Sequence, residues 1–342
     1  MIQLAEILLE PWTHPYWKVM TQLGVDGAVG VLPRHYSDWR TSAAEKPWEY
    51  GPLALYKQHI EDAGFSLGVI EDNPPMDCLR LGRAGRDEEL ENVLTLIRNM
   101  GKLGIPVLCY NWMAVLSWLR TSIGVPGRGG ALVSGYDHRV LDDVALTPAG
   151  EVSEDELWAS LQWFLERAVP VAEEAGVKLA LHPDDPPLSP IRGVARIMRS
   201  VDAFQRAIEL VPSEANGITF CQANFALMDT DVPSAIRHFG QQQRIHFVHF
   251  RDVRGTAEQF VETFHDDGQT DMLECIRAYC DIEFDGMLRT DHVPLLDGDT
   301  ASVPGYSWNG RLFAIGYVKG LIEAASSSHP TPRRPALTTE AR

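Results

Sequence analysis

The sequence has few cysteines, an excess of acidic over basic residues, and no long apolar run. Its 342 residues include five cysteines, 30 Lys and Arg, and 47 Asp and Glu, which gives a formal net charge of -17 at pH 7. An odd, sparse set of cysteines does not form a disulfide framework, and this favours a reducing compartment. The acidic excess repels polyanions at long range, so nucleic acid is not an expected partner.

The N-terminal segment shows no targeting signal. It reads MIQLAEILLEPWTHPYWKVM, without a basic start or a small-residue cleavage site, and its apolar run is too short for a membrane span. We therefore expect a cytoplasmic protein with no membrane partner. The 45% hydrophobic content can form a large core, and we expect one domain over residues 1–325. A Pro- and Ser-rich tail, 326–342, is expected to be disordered.

Eight short apolar runs are typical of strands. They are IQLAEILLE (2–10), GAVGVL (around 28–32), SLGVIE (66–71), PVLCY (106–110), KLALH (178–182), GITFC (217–221), RIHFVHF (244–250) and FDGMLRTD (284–291). Helical segments lie between them, and such alternation predicts a parallel sheet. No Gly-rich nucleotide fingerprint follows the first strand. The eight units therefore favour a single (β/α)8 TIM barrel over an open doubly wound sheet.

The clearest helical segments carry apolar residues at three- and four-residue intervals. They cover residues 87–104, 155–176, 193–210, 271–280 and 309–325. The segment TSIGVPGRGGALVSGYDH (121–138) falls outside this alternation and is rich in Gly. We expect it to be a long loop on the side where barrel enzymes place their active sites, as a lid or an oligomer contact.

Four residues with metal-binding side chains end successive predicted strands: His182, Cys221, His249 and Asp291. Taken singly, a cysteine is often a small buried hydrophobe and a histidine is often structural. Neighbouring barrel strands are roughly 5 Å apart, so four such side chains at one level can converge on one ion. Thiolate favours zinc or iron, whereas imidazole and carboxylate also accept manganese. An open coordination position would make the ion a Lewis acid.

The segments around these residues are polar: HPDDPP (182–187), CQANF (221–225), HFRD (249–252) and TDHVP (290–294). Within them, Asp184 and Arg251 are candidates for substrate binding. An Asp at this position can instead cap the following helix, and an Arg can make a structural ion pair. The sequence leaves both interpretations open.

Several longer motifs of the sequence resemble those of a known protein family. They are CYNWM (109–113), LHPDDPP (181–187), CQANF, FVHFRDV (247–253), FHDDGQTDM (264–272), DHVP (291–294) and PGYSWNGRLFAIGYVKGL (304–321). In these motifs the chain resembles the mannonate dehydratase family, densely from about Cys109 onward. The resemblance implies a xylose-isomerase-like barrel and a hydro-lyase of hexuronate catabolism. That enzyme would convert D-mannonate to 2-keto-3-deoxygluconate.

The resemblance also implies roles for particular residues. It places Mn²⁺ or Fe²⁺ on His182, Cys221, His249 and Asp291, and it gives His292 and Tyr306 the acid and base roles without saying which is which. Asn111, in the motif CYNWM, is expected to bind the sugar acid together with Asp184 and Arg251. A homo-oligomer is a further expectation from the resemblance.

Departures from the family pattern concentrate near the N-terminus. The chain has EPWTHPYW (10–17) and LPRHYSDW (32–39) where members that act on mannonate usually have Arg-Trp-Tyr-Gly and Ile-Pro-Asn-Gly stretches. It also has Ser117 where an acidic residue is common and Thr290 where proline is common. Loops shape the mouth of a barrel, so a different aldonic acid is an alternative substrate.

Two alternatives concern the reaction itself. A metal-dependent isomerase or epimerase of the xylose isomerase type usually binds its metal with several carboxylates, and Cys221 argues against it. A non-catalytic sugar-acid-binding protein would explain the altered N-terminal loops. The presence of His292 and Tyr306 argues against this loss of chemistry.

Overall fold

The computed structural model describes residues 2–34, 44–300 and 303–328. Twelve strands lie in these ranges: β1 (Gln3–Ile7), β2 (Gly27–Gly30), β3 (Ser66–Glu71), β4 (Val107–Asn111), β5 (Ser122–Pro126), β6 (Leu132–Asp137), β7 (Lys178–His182), β8 (Asn216–Cys221), β9 (Ile245–Phe250), β10 (Val253–Gly255), β11 (Gln259–Glu262) and β12 (Met287–Thr290). Eight of them close into a parallel barrel in the order β1-β12-β9-β8-β7-β4-β3-β2. The predicted (β/α)8 barrel is confirmed.

The barrel interior holds a small apolar cluster. Its buried members are Ala5, Ile7, Val29, Val69, Cys109, Ala180 and Phe247. A much larger apolar cluster fills the layer between the strands and the helices outside them. Parallel strands buried on both faces must be apolar on both faces, which explains why the sequence shows them as continuous apolar runs.

Ten helices accompany the strands in the described ranges: α1 (Pro15–Gln22), α2 (Tyr50–Asp62), α3 (Asp77–Arg80), α4 (Arg86–Leu103), α5 (Glu154–Ala175), α6 (Val201–Leu210), α7 (Gln222–Leu227), α8 (Val232–Gln241), α9 (Met272–Asp281) and α10 (Trp308–Ser328). Local signals set their ends. A capping box between Ser153 and Glu156 starts α5, and Gly176, with φ of 68°, ends it.

The helix predicted over 193–210 is shorter than expected. It begins only at Val201, because the Ser200 side chain caps it by accepting a hydrogen bond from the Ala203 amide. Upstream, Val194 forms isolated bridges with Val152 and Ile191 instead of a helical turn. The apolar residues of 193–200 are therefore spaced as in a helix because they are buried, although this segment is not helical.

The prediction of a long loop over 121–138 was wrong, because strands β5 and β6 of this segment pair as an antiparallel hairpin. Strand β6 also pairs with β11, giving an antiparallel sheet in the order β10-β11-β6-β5. These four strands bring the total above the eight that the sequence predicted. They belong to the connections that follow β4 and β9, so the sheet stands at the carboxyl end of the barrel, where the strands of a barrel enzyme carry its site.

At the C-terminus, α10 continues to Ser328. The rest of the predicted disordered tail, 329–342, lies outside the described residues. None of the described helices has the length and apolar character that a membrane crossing requires.

Candidate metal centre and active site

A cavity of about 890 Å³ opens at the carboxyl end of the barrel strands. This volume accommodates a small polar ligand such as a six-carbon acid. Among the residues that line it are six of the predicted site residues: Asn111, His182, His249, Asp291, His292 and Tyr306.

The strand register places the candidate ligands at one level. Cys221 of β8 is paired with His249 of β9, and His249 is paired in turn with Arg289 of β12. On the other side, His182 of β7 is paired with Asn111 of β4. Because paired residues of neighbouring strands are roughly 5 Å apart, the side chains at this level meet over the barrel axis.

Three of the four predicted ligands form a compact group. The ligand atoms of His182, Cys221 and His249 all lie within 4.8 Å of one another, and Nε2 of His182 is 3.1 Å from Nδ1 of His249. Asp291 stands beside this group, with Oδ2 at 3.5 Å from Nδ1 of His249.

The chemistry of this group fits a divalent ion. A thiolate, two imidazoles and a carboxylate are a donor set that zinc, iron and manganese accept to different degrees. Burial lowers the pKa of His182, which favours the neutral imidazole that a metal requires. Its Nδ1 lies 2.7 Å from the carbonyl oxygen of Pro183, so a proton on Nδ1 leaves the Nε2 lone pair facing the cluster.

The charges around the group also favour a cation. One continuous ion-pair network surrounds it, made of Glu71, Asp185, Glu262 and Asp291 with Arg120, Arg251 and Arg289. In this network four carboxylates face three guanidinium groups. The excess negative charge is buried, and a bound cation would compensate it.

Asp291 is held as a carboxylate by two arginines. Burial opposes its ionisation, but Arg289 lies 2.8 Å from Oδ1 and Arg251 lies 2.9 Å from Oδ2. Together with the neighbouring histidines they keep the pKa of Asp291 well below its usual range. The group therefore stays anionic, as a ligand must.

Tyr306 and His292 lie against this carboxylate. The Tyr306 hydroxyl donates a 3.0 Å hydrogen bond to Oδ1 of Asp291, and its ring is perpendicular to the His292 ring at 5.5 Å. Burial, and then the charge of Asp291, raises the pKa of Tyr306 far above its usual value. The hydroxyl therefore keeps its proton and remains a donor.

His292 is fixed from the other side by Glu262. Nδ1 of His292 lies 2.9 Å from Oε1 of Glu262, while Nε2 faces Asp291 at 3.7 Å. Burial alone would raise the pKa of Glu262, but Arg251 and Arg120 lower it to about 2. An ionised carboxylate at Nδ1 holds the ring proton there.

The three predicted substrate-binding residues are placed differently. Asn111 lines the cavity, and its Oδ1 accepts hydrogen bonds from Arg80 and from the amide of Met113. Asp184 is buried, accepts a hydrogen bond from the Met198 amide, and is absent from the cavity wall.

Arg251 is also buried away from the wall, in ion pairs with Asp185, Glu262 and Asp291. Arg251 thus makes the structural ion pairs that its alternative interpretation predicts, whereas Asp184 does not cap the following helix, because Ser200 caps it. The geometry gives substrate binding by Asp184 and Arg251 no support. Asp185, the residue after Asp184, does line the cavity.

Four residues of the site were missed by reasoning from the sequence: Glu71, Arg120, Glu262 and Arg289. Glu71 is the last residue of β3 and lines the cavity, so the strand-end criterion that selected His182 would have found it. Arg289 sits one strand away in register with His249. Arg120 and Glu262 belong to the segments of the small sheet, and nothing in their local sequence signals the contact.

The fold is a barrel of the xylose-isomerase-like type, with a candidate metal-ligand cluster at its mouth. Its likeness to a xylose isomerase domain protein from Planctomyces limnophilus, with a TM-score of 0.60, 14% identity and coverage of 95% of this chain and 98% of that one, shows the fold alone.

The chain belongs to the D-mannonate dehydratase (UxuA) family, whose model matches residues 17–149 and 144–331. A mannonate dehydratase of Thermotoga maritima is 35% identical over 336 residues, covering 88% of this chain and 91% of that protein. One of Streptococcus pneumoniae is 35% identical over 81% of this chain and 83% of its own.

Among solved structures, the mannonate dehydratase of Streptococcus suis serotype 2 superposes with a TM-score of 0.87 and 31% identity, covering 100% of this chain and 99% of the other. The predicted family and the expectation of a metal-dependent hydro-lyase are confirmed.

Proposed function

We propose that this chain dehydrates D-mannonate to 2-keto-3-deoxy-D-gluconate, with Mn²⁺ or Fe²⁺ as its ion. The observation that carries the proposal is the contact between the proposed metal ligands and a candidate proton-transfer residue. The ligand cluster touches Asp291, and Asp291 touches the candidate proton-transfer residue Tyr306. Family membership supplies the substrate class, since the relatives are named mannonate dehydratases.

The proposed ligands are His182, Cys221, His249 and Asp291. An ion bound there would act as a Lewis acid and stabilise the negative charge that develops when a proton leaves the carbon next to the substrate carboxylate. This help is needed because such a C–H bond is barely acidic.

The two proton-transfer residues have different neighbours, and we assign their roles from these. His292 would take the C2 proton at Nε2, because Glu262 lies at Nδ1 and holds the ring proton there. Tyr306 would donate its hydroxyl proton to the departing C3 hydroxyl of the substrate, because the Tyr306 hydroxyl is a hydrogen-bond donor in the structure. Loss of water leaves an enol, which rearranges to the 2-keto acid.

Asn111 remains a proposed substrate-binding residue. Its Oδ1 is used by Arg80 and by the Met113 amide, so its Nδ2 is the atom we propose to donate to a sugar hydroxyl. The proposal also includes a cytoplasmic location, supported by five free thiols. A homo-oligomer stays a prediction.

The test is a coupled assay for 2-keto-3-deoxy acids with a panel of aldonic acids that includes D-mannonate. Each acid is incubated with the full-length protein and Mn²⁺, or with Fe²⁺ under anaerobic conditions, and a chelator serves as the control. We expect product from D-mannonate that disappears with the chelator and returns when the ion is restored.

The other outcomes separate the alternatives. Product from another aldonic acid alone would support the proposed dehydration but contradict D-mannonate as the substrate. The altered N-terminal segments would then be the place to look for the change in specificity. A sugar isomer or epimer as the product would support the isomerase. Binding of ion and sugar acid with no turnover of any acid would support a non-catalytic binding protein.

A further inference from the structure

We propose that Glu71 is a positioning residue for the metal ligand His249, because its carboxylate accepts a hydrogen bond from Nε2 and so directs the Nδ1 lone pair toward the ion. This inference rests on the metal site proposed above. It adds a residue from the third barrel strand to a centre whose proposed ligands lie at the carboxyl ends of the fifth to eighth strands.

The two ring nitrogens of His249 face different chemistry. Nδ1 lies 3.1 Å from Nε2 of His182 and 3.5 Å from Oδ2 of Asp291, on the side of the proposed ligands. Nε2 lies 3.2 Å from Oε2 of Glu71. A neutral imidazole carries one N–H, and the carboxylate is the better acceptor for it, so Nδ1 is left with the lone pair that a metal needs.

Glu71 is itself held in place. Arg289 forms a two-point contact with its carboxylate, from Nε to Oε2 at 2.9 Å and from Nη2 to Oε1 at 2.8 Å. The strand register places Arg289 beside His249, the residue that Glu71 contacts. A carboxylate fixed at two points can select one orientation of the ring beside it.

The same arginine reaches a second proposed ligand. Nη1 of Arg289 lies 2.8 Å from Oδ1 of Asp291. Contacts therefore run from His249 to Glu71, from Glu71 to Arg289, and from Arg289 to Asp291. One short chain of hydrogen bonds sets the orientation of an imidazole ligand and a carboxylate ligand together.

A rival role for Glu71 is direct coordination. The ligand atoms of Glu71, Cys109 and His249 also lie within 4.8 Å of one another. Positioning is favoured because both carboxylate oxygens of Glu71 already receive hydrogen bonds from Arg289. Cys109 is engaged as well, since it accepts a hydrogen bond from the Thr219 hydroxyl.

The test compares Mn²⁺ affinity, measured by calorimetric titration of the metal-stripped full-length protein, in the wild type and four variants. Glu71→Gln removes the charge but keeps the size, whereas Glu71→Asp keeps the charge but shortens the reach to His249. Asp72→Asn is the matched control, because the adjacent Asp72 lines the same cavity and pairs with Arg34. His249→Ala defines the loss of a ligand.

We expect both Glu71 variants to bind Mn²⁺ about 10- to 100-fold more weakly than the wild type, with Asp72→Asn within about threefold of it. Circular dichroism of the metal-stripped variants checks that they fold. With saturating Co²⁺, Glu71→Gln should keep the thiolate charge-transfer band and the coordination geometry of the wild type.

Three results would overturn the proposal. Wild-type Mn²⁺ affinity in Glu71→Gln would show that Glu71 does not position His249. Wild-type affinity in Glu71→Asp would show that charge, and not the hydrogen bond, is what acts. A changed Co²⁺ coordination geometry in Glu71→Gln would make Glu71 a ligand. If the wild type bound no ion, or His249→Ala bound as well as the wild type, the metal site itself would fall, and this inference with it.

Discussion

Nδ1 of His292 lies 2.9 Å from Oε1 of Glu262, although 30 residues separate the two in the chain. Glu262 ends β11, a strand of the small antiparallel sheet and not of the barrel. The connections that follow β4 and β9 therefore do more than surround the cavity. They fix one side of the proposed proton-transfer residue.

We predict that Glu262→Gln lowers kcat by on the order of 10²-fold or more, because the amide no longer specifies which nitrogen of His292 carries the proton. KM and Mn²⁺ content should change little, since Glu262 is not a proposed ligand. Steady-state kinetics and metal analysis of the purified variant check this.

The matched control for this variant is Glu258→Gln, which removes an exposed carboxylate from the turn before β11. It should retain wild-type kinetics. Because Glu262 also pairs with Arg120 and Arg251, a lower melting temperature is expected for Glu262→Gln. A variant that stays folded with unchanged kcat would contradict the positioning of His292 by Glu262.

Removal of a proposed ligand should empty the metal site. We predict that Cys221→Ser and His249→Ala lose most of their bound metal and all measurable turnover while keeping the far-ultraviolet circular dichroism of the wild type, because the barrel core does not depend on the ion. Cys280→Ser, at a half-buried cysteine of α9, is the control and should retain metal. Turnover by a metal-free ligand variant would rule out the proposed site.

Loss of the Tyr306 hydroxyl should separate the two proton transfers. We predict that Tyr306→Phe keeps its metal and binds substrate but loses on the order of 10²-fold or more in kcat, because the C3 hydroxyl has no proton donor. In deuterium oxide this variant should still exchange the C2 proton, which His292 removes. Tyr317→Phe on α10 serves as the control. Wild-type turnover by Tyr306→Phe would return Tyr306 to a structural role.

The barrel and three of the residues that line its cavity could be predicted from local rules of sequence. A buried parallel strand is a continuous apolar run, and a polar residue at its carboxyl end points to the mouth. His182, His249 and Asp291 obey this rule, and all line the cavity. Glu71 obeys it as well, and it was missed only because the rule was applied to the last four strands.

The small sheet and its charges could not be predicted in the same way. Strands β6 and β11 pair across more than a hundred residues, and a segment with Gly127, Gly129, Gly130 and Gly135 lacks the alternation of a strand. The contacts of Arg120 with Asp185 and Glu262 exist only when three separate segments are folded together. Such pairs have no signature at short sequence distance.

A buried histidine outside the proposed machinery should make the fold sensitive to acid. His265 is fully buried, and its Nε2 lies 2.7 Å from the carbonyl oxygen of Phe250. Burial lowers its pKa from the usual 6.5 to about 4. Between these two values the unfolded chain takes up a proton at this residue and the folded chain does not, so falling pH favours unfolding.

We therefore predict that the free energy of unfolding is unaffected by His265 above about pH 6.5 and declines below it, by on the order of 3 kcal/mol in all when pH 4 is reached. In His265→Gln, which cannot titrate, the slope of the unfolding free energy against pH should be smaller by up to about 1.4 kcal/mol per pH unit in this window. Urea unfolding between pH 4.5 and 7.5 measures both slopes. A chelator must be present, so that protons do not compete with metal binding. Equal slopes for the two proteins would show that His265 takes up its proton as readily in the folded state as in the unfolded one.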